Sequence, residues 1–302
     1  MGAALVAGAI VGSGFQEKVF QAGGVSIHYA EGPAAGPRLV LLHGLSRDWK
    51  SFSVLLPELS SRYHLFALDL RGHGGSGRVS RGYRITEYAQ DVSAFLKQVV
   101  PGGAAIFGHS LGGEVGMCVA ADEDSRVSAL IVGDPVISPE NFARSVYDPL
   151  FLQLHEIILR GGSQEDIARG IGKIEIHVPG LEEALRIEEL PGNTRAVFLE
   201  WARCAKQTDP EALAMTLDGS AFLGWDPGQM LPRITCPALL LQGNPELDAL
   251  LTDDDVKLAL KLLRRGEHMK FPLLGHALFM QQAKPVLAEI IRFLSSRDAQ
   301  LD

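Results

Sequence analysis

The chain has 302 residues, 46% of them hydrophobic, and a formal net charge of −8. That size and apolar fraction allow one large α/β core, alone or with an insertion, and the acidic balance without any basic run excludes the electrostatic footprint of a nucleic-acid-binding protein. Three cysteines, Cys118, Cys204 and Cys236, are odd in number and far apart, with no C-x-x-C spacing. They speak against a disulfide framework or a zinc site and fit free thiols in a reducing, cytoplasmic setting.

Residues 1–14 are apolar and Gly/Ala-rich, too short to span a bilayer, and no Lys or Arg precedes Lys18 to start a secretory signal. The segment reads as a loosely ordered tail, or as a strand or flap laid on the surface. Val25 to Tyr29 alternates as a half-buried strand should. Arg38 to Leu42 is a continuous apolar run of strand length, expected for a strand buried on both faces, and it ends at His43-Gly44. Trp49 to Ser60 reads as a helix. His64 to Leu68 is the next strand and runs into Asp69-Leu70-Arg71-Gly72-His73-Gly74-Gly75-Ser76. Ile85 to Val99 has helical period, with Tyr88, Val92, Phe95, Leu96 and Val99 on one face.

Ala104 to Phe107 is a short buried strand, and Glu114 to Ala121 an Ala/Val/Met-rich helix. Between them lies Gly108-His109-Ser110-Leu111-Gly112-Gly113. Strand, G-x-S-x-G, helix is the context of a nucleophile elbow: the serine sits on a sharp turn and projects its hydroxyl from the end of the sheet, and the flanking glycines leave room for the close approach. The amide of Leu111 then lies at a helix N-terminus, where it can stabilise a developing oxyanion. The competing reading is a tight packing turn whose serine only caps the helix.

Val127 to Gly133 is another apolar strand, ending at Asp134-Pro135. Strands alternating with helices imply a mostly parallel sheet. The alternation then stops until Pro237 to Gln242; the segment between is helical and carries Phe142, Tyr147, Phe151, Phe198, Trp201, Phe222 and Trp225. Thr252 followed by three aspartates looks like a helix cap with an acidic first turn, which also accounts for Asp248 as a solvated or capping group. Met269 to Pro272 reads as a last strand before Gly275-His276, and Pro285 to Leu294 as a closing helix. The domain reading is a core of residues 15–136 and 229–302, a helical lid of residues 137–228 inserted before the penultimate core strand, and the tail of residues 1–14.

His43-Gly44, the Asp69-to-Ser76 loop, the Gly108-to-Gly113 elbow and Gly275-His276 come in an order that resembles the α/β-hydrolase superfamily across the whole core. The resemblance implies an α/β-hydrolase fold and a lid-covered, cofactor-independent serine hydrolase, with no metal. Ser110 is the proposed nucleophile; a serine hydroxyl needs a base within hydrogen-bond reach, and His276 stands at the chain position the family uses. His43, His73 and His109 are expected to be loop or pocket-wall residues. The acid departs from the commonest family pattern. Glu246, in Gly243-Asn244-Pro245-Glu246, occupies the usual spacing after the strand, whereas some members place the acid before the lid, where this chain has Asp134. A carboxylate at the end of a buried strand needs a partner, so Asp134 is the preferred orienter of His276 and Glu246 the alternative. The family implies Leu45 as the second oxyanion amide beside Leu111. Asp69 and Arg71 are expected to brace their loop, paired with each other or with nearby backbone.

The resulting expectation is a serine esterase that takes a small to medium apolar or aromatic ester through an acyl-enzyme. Lactone, amide, carbamate, thioester or carbon–carbon hydrolysis would use the same triad, and a ligand receptor on the same scaffold is the rival from another class. Haloalkane dehalogenase or epoxide hydrolase chemistry is disfavoured, because those relatives carry Asp at the elbow.

Overall fold

The computed structural model describes residues 14–176, 183–190 and 192–298; the N-terminal tail, apart from Gly14, lies outside the described residues. The strands in chain order are β1 (Gln16–Ala22), β2 (Val25–Glu31), β3 (Arg38–Leu42), β4 (His64–Leu68), β5 (Ala104–His109), β6 (Val127–Gly133), the two-residue pair β7 (Glu175–Ile176) and β8 (Leu185–Arg186), then β9 (Ala238–Gln242) and β10 (Gly266–Lys270). The core helices are α1 (Leu56–Ser60), α2 (Ile85–Gln98), α3 (Leu111–Ala120), α10 (Asp253–Leu262) and α11 (Ala283–Asp298). Between β6 and β9 run α4 (Pro139–Ala143), α5 (Tyr147–Arg160), α6 (Gln164–Gly172), α7 (Arg195–Gln207), α8 (Pro210–Leu217) and α9 (Pro227–Met230).

Eight strands form one sheet in the order β1-β2-β4-β3-β5-β6-β9-β10, parallel from β4 to β10, with β1 and β2 antiparallel at one edge. The apolar run of β3 works because side chains alternate across the sheet. Val40 and Leu42 join the cluster containing Val92, Phe95 and Val115 of α2 and α3. Leu39 and Leu41 join Phe52, Leu56, Ile290 and Phe293 on the other face. Each fully buried Leu or Phe of this kind contributes about 1.5–3 kcal/mol relative to exposure. The segment between β6 and β9 builds its own apolar centre from Leu154, Ile167, Ile171, Phe198 and Ala202, continuous with the first cluster. Its beginning is tied to the core by Asp255 of α10, which accepts from Ser138 Oγ (2.6 Å) and Asn141 Nδ2 (2.8 Å).

Three elements differ from the sequence expectation. Trp49 to Ser60 is a 3-10 turn over Trp49–Phe52 followed by α1. The ring of Pro57 would strike the carbonyl four residues before it, so a helix cannot run through from Trp49. The last strand is Gly266–Lys270 rather than Met269 to Pro272, because it pairs with β9 from Gly266↔Ala238 to Lys270↔Gln242 as a partly exposed edge with little apolar signal. Strand β1 left no apolar signature either, since its residues are almost all exposed.

The β5–α3 turn leaves no room for side chains at its glycines. A Cβ on Gly108 would run into the Gly112 carbonyl and lie 2.6 Å from the Gly113 nitrogen; one on Gly112 would run into the Leu42 backbone and lie 2.8 Å from the His43 carbonyl oxygen. Backbone cannot retreat as a flexible side chain can. Gly112→Ala is therefore expected to lower stability on the order of 3 kcal/mol, read as a fall in the urea midpoint; an unchanged midpoint would disprove the steric account.

Candidate active site

Ser110 occupies the turn between β5 and α3 with φ 53° and ψ −126°, a left-handed conformation costly for a residue with a Cβ. Its amide donates to the Gly133 carbonyl at 2.8 Å, which locks the turn to the end of β6. Its side chain makes no capping hydrogen bond to the helix it precedes. The hydroxyl is thus left available rather than used for structure.

Asp134 follows Gly133 directly, is fully buried and also has positive φ, 48°. One carboxylate oxygen accepts from His276 Nδ1 and from the Leu250 amide, both at 2.7 Å; the other accepts from the amides of Gly243 (3.2 Å) and Leu251 (3.3 Å). Burial of this charge is met by four donors, which fixes the carboxylate on the loops that follow β9. With Nδ1–H given to Asp134, His276 carries its lone pair on Nε2. Glu246, by contrast, is exposed on the Pro245–Leu247 turn, and its carboxylate takes no hydrogen bond among the described residues. The structure places Asp134 on His276, and not Glu246.

His276 is held from three further sides. His109 Nε2 donates to its carbonyl at 2.8 Å, and the Tyr147 ring lies 4.8 Å from the imidazole. Asp248 accepts from the His276 amide at 2.7 Å and from Tyr147 Oη at 3.1 Å. Asp248 is therefore a brace for the histidine loop, not the solvated or capping group expected from its neighbours. Its only sequence signal was that it lies outside the capped helix. The Ser110 hydroxyl and His276 Nε2 are brought to the same end of the sheet without being hydrogen-bonded to each other.

The loop after β3 lies across this site. Gly44 approaches the Ser110 side chain so closely that a Cβ would stand 3.2 Å from Ser110 Cβ. The Leu45 amide has no acceptor among the described residues, and the Leu111 amide, first in its helix, has no intrahelical one. His43 is buried and neutral: Nδ1 donates to Gly44 O at 2.8 Å, Nε2 accepts from the Leu70 amide at 3.0 Å, and burial lowers its pKa. Burial likewise holds His73 and His109 at about 3. Asp69 and Arg71 brace their surroundings but do not pair with each other. Asp69 accepts from the Trp49 and Gly75 amides and from His28 at 2.8 Å each, and Arg71 forks onto Asp91 at 2.6 Å.

Helix α7 docks on the same loop. Trp201 Nε1 donates to Ser46 Oγ at 3.3 Å, and Arg203 bonds both carboxylate oxygens of Asp48 while pairing with Glu200. Asp48, Glu200 and Cys204 bring three metal-ligand atoms within 4.8 Å of one another, but the Arg203 guanidinium already satisfies both carboxylates, so the cluster is an ion-pair network.

An alpha/beta hydrolase family model matches residues 39–289. The chain belongs to the alpha/beta hydrolase family. It is similar to a bifunctional esterase/perhydrolase of Acinetobacter calcoaceticus, 27% identical over 287 residues, which covers 90% of this chain and 97% of the relative. It is also similar to a soluble epoxide hydrolase of Corynebacterium sp. (strain C12), 26% identical over 230 residues, 67% of this chain and 80% of the relative. Among solved structures, E-2-(acetamidomethylene)succinate hydrolase superposes with a TM-score of 0.71 at 20% identity, over 93% of this chain and 99% of that one. No helix among the described residues of this hydrolase is long and apolar enough to cross a membrane.

One buried acid near the nucleophile was not singled out from sequence. Glu114, on α3 one turn beyond Ser110, accepts from the Val136 amide at 2.8 Å, and burial raises its pKa to about 7. A carboxyl titrating at about 4.5 in the unfolded chain and about 7 in the folded one binds more protons when folded, so stability falls as pH rises through that window. Glu114→Gln keeps an acceptor for Val136 and removes the titration. Its stability relative to wild type should therefore improve by about 3 kcal/mol between pH 4 and pH 8. Urea unfolding at the two pH values measures this, and a difference that does not vary with pH would contradict it.

Proposed function

We propose that this hydrolase cleaves a carboxylic ester by serine attack, with Ser110 as nucleophile, His276 as base and Asp134 as orienter. The observation that carries the reading is a strained Ser110 with an uncommitted hydroxyl beside a histidine whose other nitrogen is tied to a buried carboxylate. On substrate binding His276 Nε2 takes the hydroxyl proton as Ser110 Oγ bonds to the ester carbonyl carbon, and the carbonyl oxygen becomes an oxyanion facing the Leu45 and Leu111 amides. His276 then returns the proton to the leaving alcohol, and the acyl-enzyme is hydrolysed by a water that His276 deprotonates. Active-site hydrogen bonds commonly tighten only in the substrate complex, which accommodates the open Ser110–His276 contact. Serine at position 110, where epoxide hydrolases carry Asp, is why we read acyl transfer and not epoxide opening.

We read residues 137–228 as the lid. Phe142, Phe151 and Tyr147 form a chain of rings with centres 6.2 and 5.9 Å apart, and Phe222 adds to it at 6.1 Å. The chain ends on His276, which supports an apolar wall for a small to medium, mostly apolar or aromatic ester. The three cysteines are unpaired thiols, in keeping with a cytoplasmic setting.

Hydrolysis of 4-nitrophenyl esters of increasing acyl length tests the reading. Ser110→Ala should abolish turnover and labelling by a fluorophosphonate. Asp134→Asn should lower kcat by about 10³–10⁴-fold by leaving His276 in the wrong tautomer, while Glu246→Gln should stay within about twofold of wild type. Activity surviving in Ser110→Ala, or a larger loss in Glu246→Gln than in Asp134→Asn, would overturn the assignment.

A further inference from the structure

Among the residues whose side chains are described, three arginines are partly buried rather than exposed: Arg47, Arg71 and Arg203. Arg71 is neutralised by Asp91, and Arg203 by Asp48 and Glu200. Arg47 pairs with no carboxylate among the described residues. Its guanidinium lies instead over the Trp201 indole, Cζ 4.7 Å from the ring centre, and that indole is itself pinned to Ser46. A half-buried guanidinium is normally matched by an acid, because a planar cation out of water needs acceptors. The acids around it are committed elsewhere: Asp48 and Glu200 to Arg203, Asp248 to His276 and Tyr147, Asp134 to His276.

Its place in the loop keeps this charge near the site. Arg47 follows Leu45 by two residues, and its amide bonds back to the carbonyl of Gly44, the residue pressed against Ser110. The turn is fixed by Ser46 at φ 57°. Within the site, burial is the larger cause of the low pKa values of His43 and His109, and the Arg47 charge lowers both further, as expected of a cation within reach of the nucleophile's neighbour. The Arg47 guanidinium makes no hydrogen bond among the described residues, and its edge offers parallel N–H donors spaced for two oxygens.

Building on the serine-hydrolase reading, we infer that Arg47 anchors a carboxylate of the substrate, so that the substrate is an ester whose acyl or alcohol part bears one carboxylate a short spacer from the scissile carbonyl. One uncompensated guanidinium matches one monoanion; a phosphate dianion would leave half its charge unmet. The aromatic wall receives the apolar body, and Arg47 sets its direction relative to Ser110. An anionic end in place of the ion pair that a half-buried arginine lacks restores the charge balance of the loop.

The test compares matched anionic and neutral esters: 4-nitrophenyl hemisuccinate against 4-nitrophenyl butyrate for the acyl side, and 4-acetoxybenzoate against its methyl ester for the alcohol side. Each rate is normalised to alkaline hydrolysis. Wild type should favour the anionic member of at least one pair by about tenfold or more in kcat/KM, and Arg47→Gln should reduce that ratio by about 10- to 100-fold, mainly through KM, with Arg47→Lys between the two. A ratio indifferent to Arg47→Gln in both pairs, or an equal loss for both members, overturns the carboxylate anchor; the latter would make Arg47 a support of the oxyanion loop. Calorimetric binding of succinate to Ser110→Ala, with and without Arg47→Gln, separates this inference from the mechanism it rests on. Arg47-dependent binding, together with a wild-type Ser110 that resists fluorophosphonate, keeps the anion site and removes the serine mechanism. Succinate binding indifferent to Arg47, together with fluorophosphonate labelling of Ser110 in the wild type, does the reverse.

Discussion

The buried carboxylate of Asp134 is the interaction on which the rest of the arrangement depends. An ionised group at the end of a central strand, with no exposure, costs several kcal/mol unless its lone pairs are filled. Here they are filled by His276 and by three amides from residues 243–251. That requirement draws the loops after β9 over the end of β6 and fixes the imidazole in one tautomer. Asp134 and Ser110 lie side by side for a separate reason: β5 pairs with β6 up to His109↔Gly133, and the Gly133 carbonyl, one residue before the acid, is the acceptor for the Ser110 amide.

A second constraint links the chemistry to the inserted helices. The loop of residues 43–48 carries the amide proposed to face the oxyanion, and it is clamped by α7 through Ser46 and Asp48. The Arg203–Asp48 contact is bidentate and mostly sheltered, so it is worth more than a surface ion pair and depends on both partners being present. The position of the insertion and the geometry of the loop over Ser110 are therefore one structural problem. Arg47, stacked on the same helix, belongs to that arrangement and is the member whose charge meets no carboxylate among the described residues.

Much of this was legible in the chain because the signals are local. Apolar runs of strand length located β3, β4, β5, β6 and β9, and the steric demands of a strand-to-helix turn located Ser110 between glycines. The mostly exposed edge β1 and the partly exposed edge β10 carried little burial signal to read. The role of Asp248 was hidden because an aspartate beside a capped helix has a simpler local explanation. Arg71 found Asp91 on α2 rather than Asp69, a choice made by the packing of α2 against its loop.

By itself, then, the sequence determined the alternation of strands and helices, the elbow and the candidate serine, since these rest on side-chain periodicity and on glycine sterics within a few residues; the candidate histidine came from the family resemblance, through its position in the chain. Only the tertiary structure decided which carboxylate, that of Asp134 or that of Glu246, meets His276. The deciding contact joins residues 142 positions apart and exists because β9 lies between β6 and β10, so that the loop carrying His276 crosses the end of β6 while the turn carrying Glu246 faces solvent. Hydrogen-bond reach is about 3 Å, and strand order, which no local pattern encodes, determines which carboxylate comes within it.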